Sequence, residues 1–461
     1  MRLPSLLLSL LIISMAFTAC NASKKQSSAR VKDNAPIEAD ANWFVSTNIY
    51  EVNLRQYTAE GTIKAFEKSL PRLKEMGVEI LWFMPITPIG IEGRKETENE
   101  MGSYYAVRNY TAFNEDYGTM ADWKSFVKNA HSLGFKVITD WVANHSAPDN
   151  PWVKNHPEFY AKDSTGKLIA PFDWTDVRKL DYNNRGLRDS MIAAMKFWLT
   201  ETRIDGFRCD VAAEVPTDFW KECITALEAM QPNIFMLAEA EKPELHQVGF
   251  DASYAWSAMH AMSDLYKGNM KLVKFDSLMN TNIGSHPAKA PRMFFTTNHD
   301  ENSWNGTEYE KFGDAAKAFA VFSQTMAHSI PLIYSGQELP NKRRLKFFVK
   351  DTIQWTGNYE MAPFYKKLLS LRKRNPALQT DASYKKLVSS NEANVFTFVR
   401  EKEGRKVLVV INFSAKPQQF QVKDAVINGN PMNLFSSKKE KISNTHTFNI
   451  APWGYKVYDY Q

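Results

Sequence analysis

The feature that most constrains this chain is an alternation running from about residue 45 to 335. Short apolar runs ending in polar residues or prolines alternate with stretches of helical spacing. The runs are NIYEVNL (48–54), VEILWFMPITP (78–88), FKVITDWVANH (135–145), IDGFRCDVA (204–212), NIFMLAEAE (233–241), the weaker FDASYAW (250–256), RMFFTTNHDEN (292–302) and IPLIYSGQE (330–338). Apolar runs without strict alternation read as strands covered on both faces, as in a parallel sheet. Eight of them, interleaved with helices, predict an α/β (β/α)8 barrel, the TIM-barrel architecture. The connecting helices carry their own signals. IKAFEKSLPRLKEMG (63–77) ends at a glycine, and Thr119 with Asp122 forms a capping-box pattern ahead of a helix that stops at Gly134. In DSMIAAMKFWLTET, Met191, Ile192, Met195, Trp198 and Leu199 share one face.

Two regions break the alternation. Residues 146–186 are rich in Asp, Asn, Pro and Gly and too long for a simple connection, so they read as a small inserted subdomain after the third strand. After residue 376 the pattern changes to strands and turns (NVFTFVRE, KVLVVINFS, QQFQV, HTFNIAPWGYKVYDY), which predicts a C-terminal antiparallel β-sandwich over 376–461. The barrel then occupies 43–375. The 461 residues accommodate this plan, and 44% hydrophobic content supports a sizeable core.

The first 20 residues, MRLPSLLLSLLIISMAFTAC, hold one early Arg, an apolar run short for a membrane span, and then small residues. This fits a secretory signal better than a transmembrane helix. The ending FTAC resembles a bacterial lipoprotein signal, which implies lipidation of Cys20 and an exported, membrane-anchored protein on the periplasmic or cell-surface face. An ordinary cleaved signal with an incidental cysteine is the alternative. Residues 21–42 are polar, lack aromatics before Trp43, and read as a flexible tether. The two remaining cysteines, Cys209 and Cys223, make no disulfide framework and read as small buried apolar residues. A net charge of +6, spread along the chain without a basic arm or helix, argues against nucleic-acid binding. A monomer is expected.

In such a barrel, chemistry sits at the C-terminal ends of the strands. The third run ends in Asp140, Asn144 and His145, the fourth in Arg208 and Asp210, the fifth in Glu239, and the seventh in His299 and Asp300. Period-two alternation puts Arg208 and Asp210 on one face, with Cys209 pointing the other way. A core ion-pair network is the structural alternative, but buried charges are costly and four acids converging at one mouth suit chemistry better. Crowded carboxylates suit glycosidic cleavage, in which one acid is protonated and another ionised. Arg208 is expected to hold Asp210 ionised, while neighbouring carboxylates push Glu239 toward the protonated state. The abundant aromatic residues, 13% of the chain, would supply flat faces for sugars as well as core packing.

DWVANH, GFRCDVAAE, LAEAE and TTNHDEN, in that order and on those strands, resemble the four signature regions of the alpha-amylase family, glycoside hydrolase family 13. The resemblance runs from about residue 45 to the C-terminus. It implies Asp210 as nucleophile, Glu239 as general acid/base and Asp300 as the third carboxylate, binding sugar hydroxyls. It implies Arg208 as the residue orienting the nucleophile, His145 and His299 as hydroxyl-binding histidines, and Tyr105 as the ring that stacks on the sugar. It further implies a structural calcium ion between barrel and insert, with Asn144 and Asp181 (or Asp176) as ligands, Asn144 as a plain hydrogen-bonding residue being the alternative. Asn109 stands where the family often has Asp. Ala213 and Glu214 stand where many alpha-amylases carry Lys and His, in a segment whose backbone usually contributes to that calcium site. The implied activity is retaining hydrolysis of α-1,4-glucosidic bonds in starch-like glucans or maltooligosaccharides. A transglycosylase on the same site and a non-catalytic glucan-binding lipoprotein are the alternatives.

Overall fold

A computed structural model of the chain describes residues 43–94, 99–287 and 290–460. The signal-like segment, the tether and Cys20 lie outside the described residues. Eight parallel strands close into a barrel: β1 (Ile49–Val52), β2 (Ile80–Phe83), β3 (Lys136–Trp141), β4 (Gly206–Cys209), β5 (Phe235–Ala238), β6 (Ala252–Tyr254), β7 (Arg292–Phe294) and β8 (Ser329–Tyr334). Each strand pairs with its sequence neighbour, and β1 also pairs with β8, placing Ile49 opposite both Ile80 and Leu332. Seven of the eight apolar runs contain one of these strands whole, and β8 begins one residue ahead of its run. The strands are shorter than the runs because the polar ends turn away into the loops of the barrel mouth. Backbones crowd closely at one point. Gly206 (φ +153°) lies against Phe235, where a Cβ would stand 1.9 Å from the Phe235 carbonyl oxygen, so only glycine can open β4.

The helical signals hold with one difference. Thr119 and Asp122 form the reciprocal capping box of helix Met120–Ser132, and Gly134 follows in a left-handed conformation. Helix Arg185–Thr202 starts at an Asn184 cap, four residues before DSMIAAMKFWLTET, and buries its predicted face. The 63–77 segment is two helices, Ile63–Glu67 and Leu70–Met76. Pro71 explains the break, because it lacks an N–H and is tolerated only in a helix's first turn. Between β3 and helix Arg185–Thr202 the chain makes a small two-stranded ladder of His145–Ser146 with Arg178–Lys179, and a short helix Pro151–Asn155.

The C-terminal region is a six-stranded antiparallel sheet and a two-stranded one. In chain order the strands are β9 (Ser383–Leu387), β10 (Val395–Lys402), β11 (Arg405–Asn412), β12 (Gln418–Gln421), β13 (Met432–Asn433), β14 (Lys438–Lys439), β15 (Thr447–Ile450) and β16 (Tyr455–Tyr460). The large sheet runs β9-β10-β11-β16-β13-β14, and β12 pairs with β15. Alternation divides β10 and β11 between two cores. Phe396, Phe398, Val407 and Val409 join the barrel-side core, while Val399, Leu408 and Val410 pack with Phe420 and Phe448 of the small sheet. Arg400 of β10 is fully buried, has no salt bridge among the described residues, and donates to five carbonyls: Thr325, Met326, Gln379, Ala382 and Ser383. It thereby ties the sheet to the end of helix Ala316–Thr325 of the barrel. Among the described residues, no helix is long and apolar enough to cross a membrane.

Candidate active site

The strand ends converge around one guanidinium. In β4, Phe207 and Cys209 are buried in the surrounding core, and Arg208 takes the alternate face. Cys209 lies near Cys223 of helix Thr217–Glu228, and both thiols are free. Arg208 Nη1 donates to Asp140 Oδ1 at 2.8 Å and to Asp210 Oδ1 at 2.9 Å, and Nε donates to Tyr254 OH at 3.0 Å. Nη2 lies 2.9 Å from Glu239 Oε2, but its N–H is not directed along that line, so this contact is one of charge rather than a hydrogen bond. The ladder sets up the cluster. Asp140 of β3 is in register with Arg208, Asp210 N donates to Trp141 O, and Glu239 N donates to Cys209 O. Asp210 and Glu239 thus each continue their strand by one ladder bond and emerge side by side.

The residue after Asp210 is conformationally unusual. Val211 has φ +36° and ψ +46°, a left-handed conformation that costs a β-branched residue about 1–3 kcal/mol. This conformation aims the Val211 N–H at Glu239 Oε2, 2.8 Å away. On the other side, His299 Nδ1 lies 2.5 Å from the fully buried Glu51 Oε1, and Nε2 lies 2.7 Å from Tyr105 OH and 3.2 Å from Asp300 Oδ2. Tyr105 OH in turn donates to Asp140 Oδ2 at 3.2 Å. One connected network therefore joins Glu51, His299, Asp300, Tyr105, Asp140, Arg208, Asp210 and Glu239.

Burial and charge compete in this network. Burial pushes Asp210 up to about 7, with Arg208 opposing and Asp140 and Asp300 adding to the rise. Burial likewise pushes Glu239 up to about 7, against Arg208 and with Asp210 and Asp300. Asp140 rises to about 6 for the same reason. The expected pull of Arg208 on Asp210 is present, but it acts on both carboxyls, burial outweighs it in both, and the two titrate as a pair. The asymmetry between them lies in the hydrogen bonds, since only Asp210 accepts an aligned guanidinium N–H. Burial opposes the His299 cation, but Asp300 and Glu51 outweigh it and hold its pKa well above the usual value. That cation overcomes burial at Asp300 and keeps its carboxyl below the ordinary range. Solvent in the pocket reaches 34% of the Asp300 side chain.

These groups border a cavity of about 550 Å³ lined by Tyr105, His145, Asp210, Glu239, Asp300 and Trp304 among others. Of the seven residues expected at the site, Tyr105, His145, Asp210, Glu239 and Asp300 line the cavity, and Arg208 and His299 join these acids and Tyr105 through the network. His145 is buried, which lowers its ring to about 3 and keeps it neutral; its Nδ1 meets Asn144 Nδ2 at 3.2 Å. Glu51, Tyr254 and Val211 were not singled out in the sequence, and Asp140 was noted only as a strand-end acid. An acid inside the apolar run NIYEVNL was the one available signal for Glu51. Asn109 is exposed and spends its side-chain oxygen on a local turn with Thr111.

The residues expected to hold calcium do not fit it as arranged. Calcium takes six to eight oxygen ligands. Asp181 accepts from the backbone and side chain of Asn183, and Asn144 turns its amide nitrogen toward His145. In the segment whose backbone would contribute, the Lys242 ammonium donates to Ala213 O at 2.9 Å, setting a positive charge where a cation is expected. Among the described residues, no group of three or more acidic, His or Cys side chains forms a cage.

Comparison with known proteins agrees with this geometry. The model of the alpha amylase catalytic domain matches residues 22–177 and 162–362, and that of the maltogenic amylase C-terminal domain matches 384–457. The chain is 26% identical over 410 residues to alpha-amylase MalA of Haloarcula japonica, covering 85% of this chain and 58% of that protein. It is 26% identical over 386 residues to the alpha-1,4-glucan:maltose-1-phosphate maltosyltransferase of Mycolicibacterium smegmatis, covering 75% of this chain and 53% of that protein. The chain thus spans only about half the length of these two relatives. The crystal structure of the noncanonic maltogenic alpha-amylase AmyB from Thermotoga neapolitana superposes with a TM-score of 0.82 at 28% identity, covering 90% of this chain and 99% of that one. With the closed barrel, the antiparallel C-terminal domain and the acid cluster at the mouth, the matches establish that the chain belongs to the alpha-amylase family of glycoside hydrolases.

Proposed function

We propose that this protein is a retaining hydrolase of α-1,4-glucosidic bonds in starch-like glucans or maltooligosaccharides. The observation that carries the reading is the Arg208 clamp, one guanidinium touching Asp140, Asp210 and Glu239 beside a pocket that also presents Asp300. In this reading Asp210 is the nucleophile and Glu239 the acid/base. The pair, with both members raised to about 7, holds one proton near neutral pH. The aligned bond from Arg208 favours the charge on Asp210, leaving the proton on Glu239.

The chemistry then follows in two displacements. Asp210 attacks the anomeric carbon as the glycosidic bond breaks, and Glu239 gives its proton to the departing oxygen. Water next attacks the same carbon, Glu239 takes its proton, and the ester to Asp210 breaks. Two inversions restore the α configuration. Asp300, kept charged by His299, accepts hydroxyl hydrogens of the distorted ring and stabilises its developing positive charge, and Tyr105 offers a flat face. The test is Glu239→Gln on a maltooligosaccharide, with the product anomer followed by NMR. A loss of roughly 10²–10⁴-fold in kcat is expected, the range for a removed general acid/base, with α-anomer from the parent enzyme. Retention of the full rate, or a β-anomer product, would refute the assignment.

A transfer reaction on the same site is the second reading. Trp304 stands 53% exposed at the pocket wall, an apolar face suited to a sugar acceptor, and the maltosyltransferase likeness points the same way. Products longer than the substrate would favour it. We also propose that the chain is exported and anchored through a lipid on Cys20. The FTAC sequence supports this, and Cys20→Ser should release the protein from the membrane fraction.

A further inference from the structure

TTNHDEN supplies two adjacent acids, and the catalytic reading uses only the first. Asp300 turns into the mouth with 34% of its side chain exposed, whereas Glu301 turns inward and keeps 4%. Asp300 caps a single turn of π-helix, Glu301–Asn305, that follows β7. Such turns are rare and recur at functional sites.

The Glu301 carboxylate braces this turn from within. Oε1 accepts from Asn305 Nδ2 at 2.9 Å, joining the first residue of the turn to the last, and Oε2 accepts from Lys311 Nζ at 2.8 Å. Backbone bonds complete the brace. Gly306 N donates to Glu301 O at 2.9 Å, and Glu301 N donates to Asn298 Oδ1 at 2.8 Å. Lys311 stands on the short helix Glu308–Phe312, whose start is fixed by a capping box of Thr307 and Glu310. Its side chain is 5% exposed, and its ammonium also lies 4.0 Å from Met259 Sδ and 5.7 Å from the centre of the Phe312 ring. Burial in this apolar setting lowers the Lys311 pKa, and Glu301 opposes the fall.

A buried ion pair is a poor device for stability alone. Removing both charges from water costs about what their attraction returns, and apolar residues of similar volume often serve as well. What the pair does supply is direction, because hydrogen bonds between charged groups are short and strong. Here they fix the turn that begins one peptide bond after Asp300.

We propose that Glu301 and Lys311 are positioning residues, a buried pair that locks the turn after β7 so that Asp300 stays against His299 and faces the sugar ring. Asp300's part in turnover rests on the hydrolase reading. With the turn unbraced, Asp300 drifts from its 3.2 Å contact with His299, and both the sugar ring and the imidazolium lose their anion.

One variant of the full chain separates positioning from plain packing. Glu301→Met/Lys311→Met replaces both charges with apolar side chains of similar length, so its melting temperature should lie near the parent's. On an aryl α-maltoside, kcat should nevertheless fall about 10–100-fold, the scale on which a reacting group misplaced by ~1 Å costs rate. KM should stay within about threefold, since Asp300 acts on the distorted ring more than on the bound sugar. The His299 pKa, read by NMR titration of its ring, should fall, because Asp300 is one of the anions that hold it up. A kcat within threefold of the parent, or an unmoved His299 titration, would overturn the proposal. Asn305→Ala decides the matter if the double variant does not fold. Asn305 is exposed, and its loss removes one arm of the brace. That variant should keep its melting temperature and lose at least about threefold in kcat, the worth of one hydrogen bond; the parent's kcat there would overturn the proposal. A parent that cleaves no α-glucoside overturns the hydrolase reading, while the His299 titration still decides whether the pair holds Asp300.

Discussion

Replacing Arg208 by lysine tests the clamp without removing its charge. Lysine's nitrogen falls one C–N bond, about 1.3 Å, short of the arginine Nη atoms. From there the 2.8 and 2.9 Å contacts to Asp140 and Asp210 lengthen beyond hydrogen-bond range. Two hydrogen bonds to charged groups at about 1.5–3 kcal/mol each amount to roughly 3–6 kcal/mol. At 1.4 kcal/mol per factor of ten, kcat/KM should fall roughly 10²–10⁴-fold. The pH profile supplies a second signature. Arg208 opposes the burial that raises Asp210 and Glu239 to about 7, so retracting its charge raises both further. The acid limb of kcat/KM against pH then moves to higher pH. Stability follows the same sign: a carboxyl raised in the folded state favours folding while protonated, below its unfolded pKa of about 4, and that advantage is lost as pH rises through its folded value near 7. Parent and variant therefore lose this advantage in parallel between pH 4 and 7, and the melting temperature of Arg208→Lys should fall further below that of the parent as pH rises above about 7, where the parent's carboxyls ionise next to the guanidinium and the variant's lack it. The assay is hydrolysis of an aryl α-maltoside from pH 4 to 9, with circular dichroism confirming the fold. A variant within threefold of the parent and with an unshifted acid limb would refute the clamp.

Three further outcomes follow from the geometry. Glu51→Gln removes one of the two anions that hold His299 charged, so the His299 pKa should fall, that of Asp300 should rise, and kcat/KM should drop by roughly 10–100-fold, one charge-assisted hydrogen bond; NMR titration of the histidine ring reads the shift directly. Arg400→Met leaves five carbonyls, those of Thr325, Met326 and Ala382 buried, without their donor and should cost at least about 3 kcal/mol in urea unfolding, with the C-terminal sheet loosening before the barrel. Treatment with EDTA should leave activity and melting temperature unchanged, because Lys242 caps Ala213 O; a fall of more than about 2 °C, on the order of 1 kcal/mol or more for a domain of this size, would show that a bound cation contributes.

The barrel could be read from the chain because its signals are local. Runs such as VEILWFMPITP and FKVITDWVANH are apolar on both faces, and Thr119 with Asp122 specifies a helix start within four residues. The strand-end polar residues were legible for the same reason: a barrel strand's end always faces the mouth, so Asp210, Glu239 and Asp300 needed no knowledge of contacts. What linear order could not supply was mutual distance. That Arg208 reaches Asp140 and Glu239 as well as Asp210, that Glu51 lies against His299 at 248 residues' separation, and that Val211 adopts a left-handed conformation to aim its N–H at Glu239 are consequences of barrel closure. The balance of charge was decided there too. Sequence places an arginine beside an aspartate and suggests an ionised nucleophile, but burial acts through three dimensions and raises both carboxyls, leaving hydrogen-bond direction to distinguish them. Sequence by itself picked out the strand-end residues proposed to carry the chemistry; the tertiary structure decided which of them meet and how far burial raises their carboxyls, because desolvation and contact between distant residues exist only once the chain has closed.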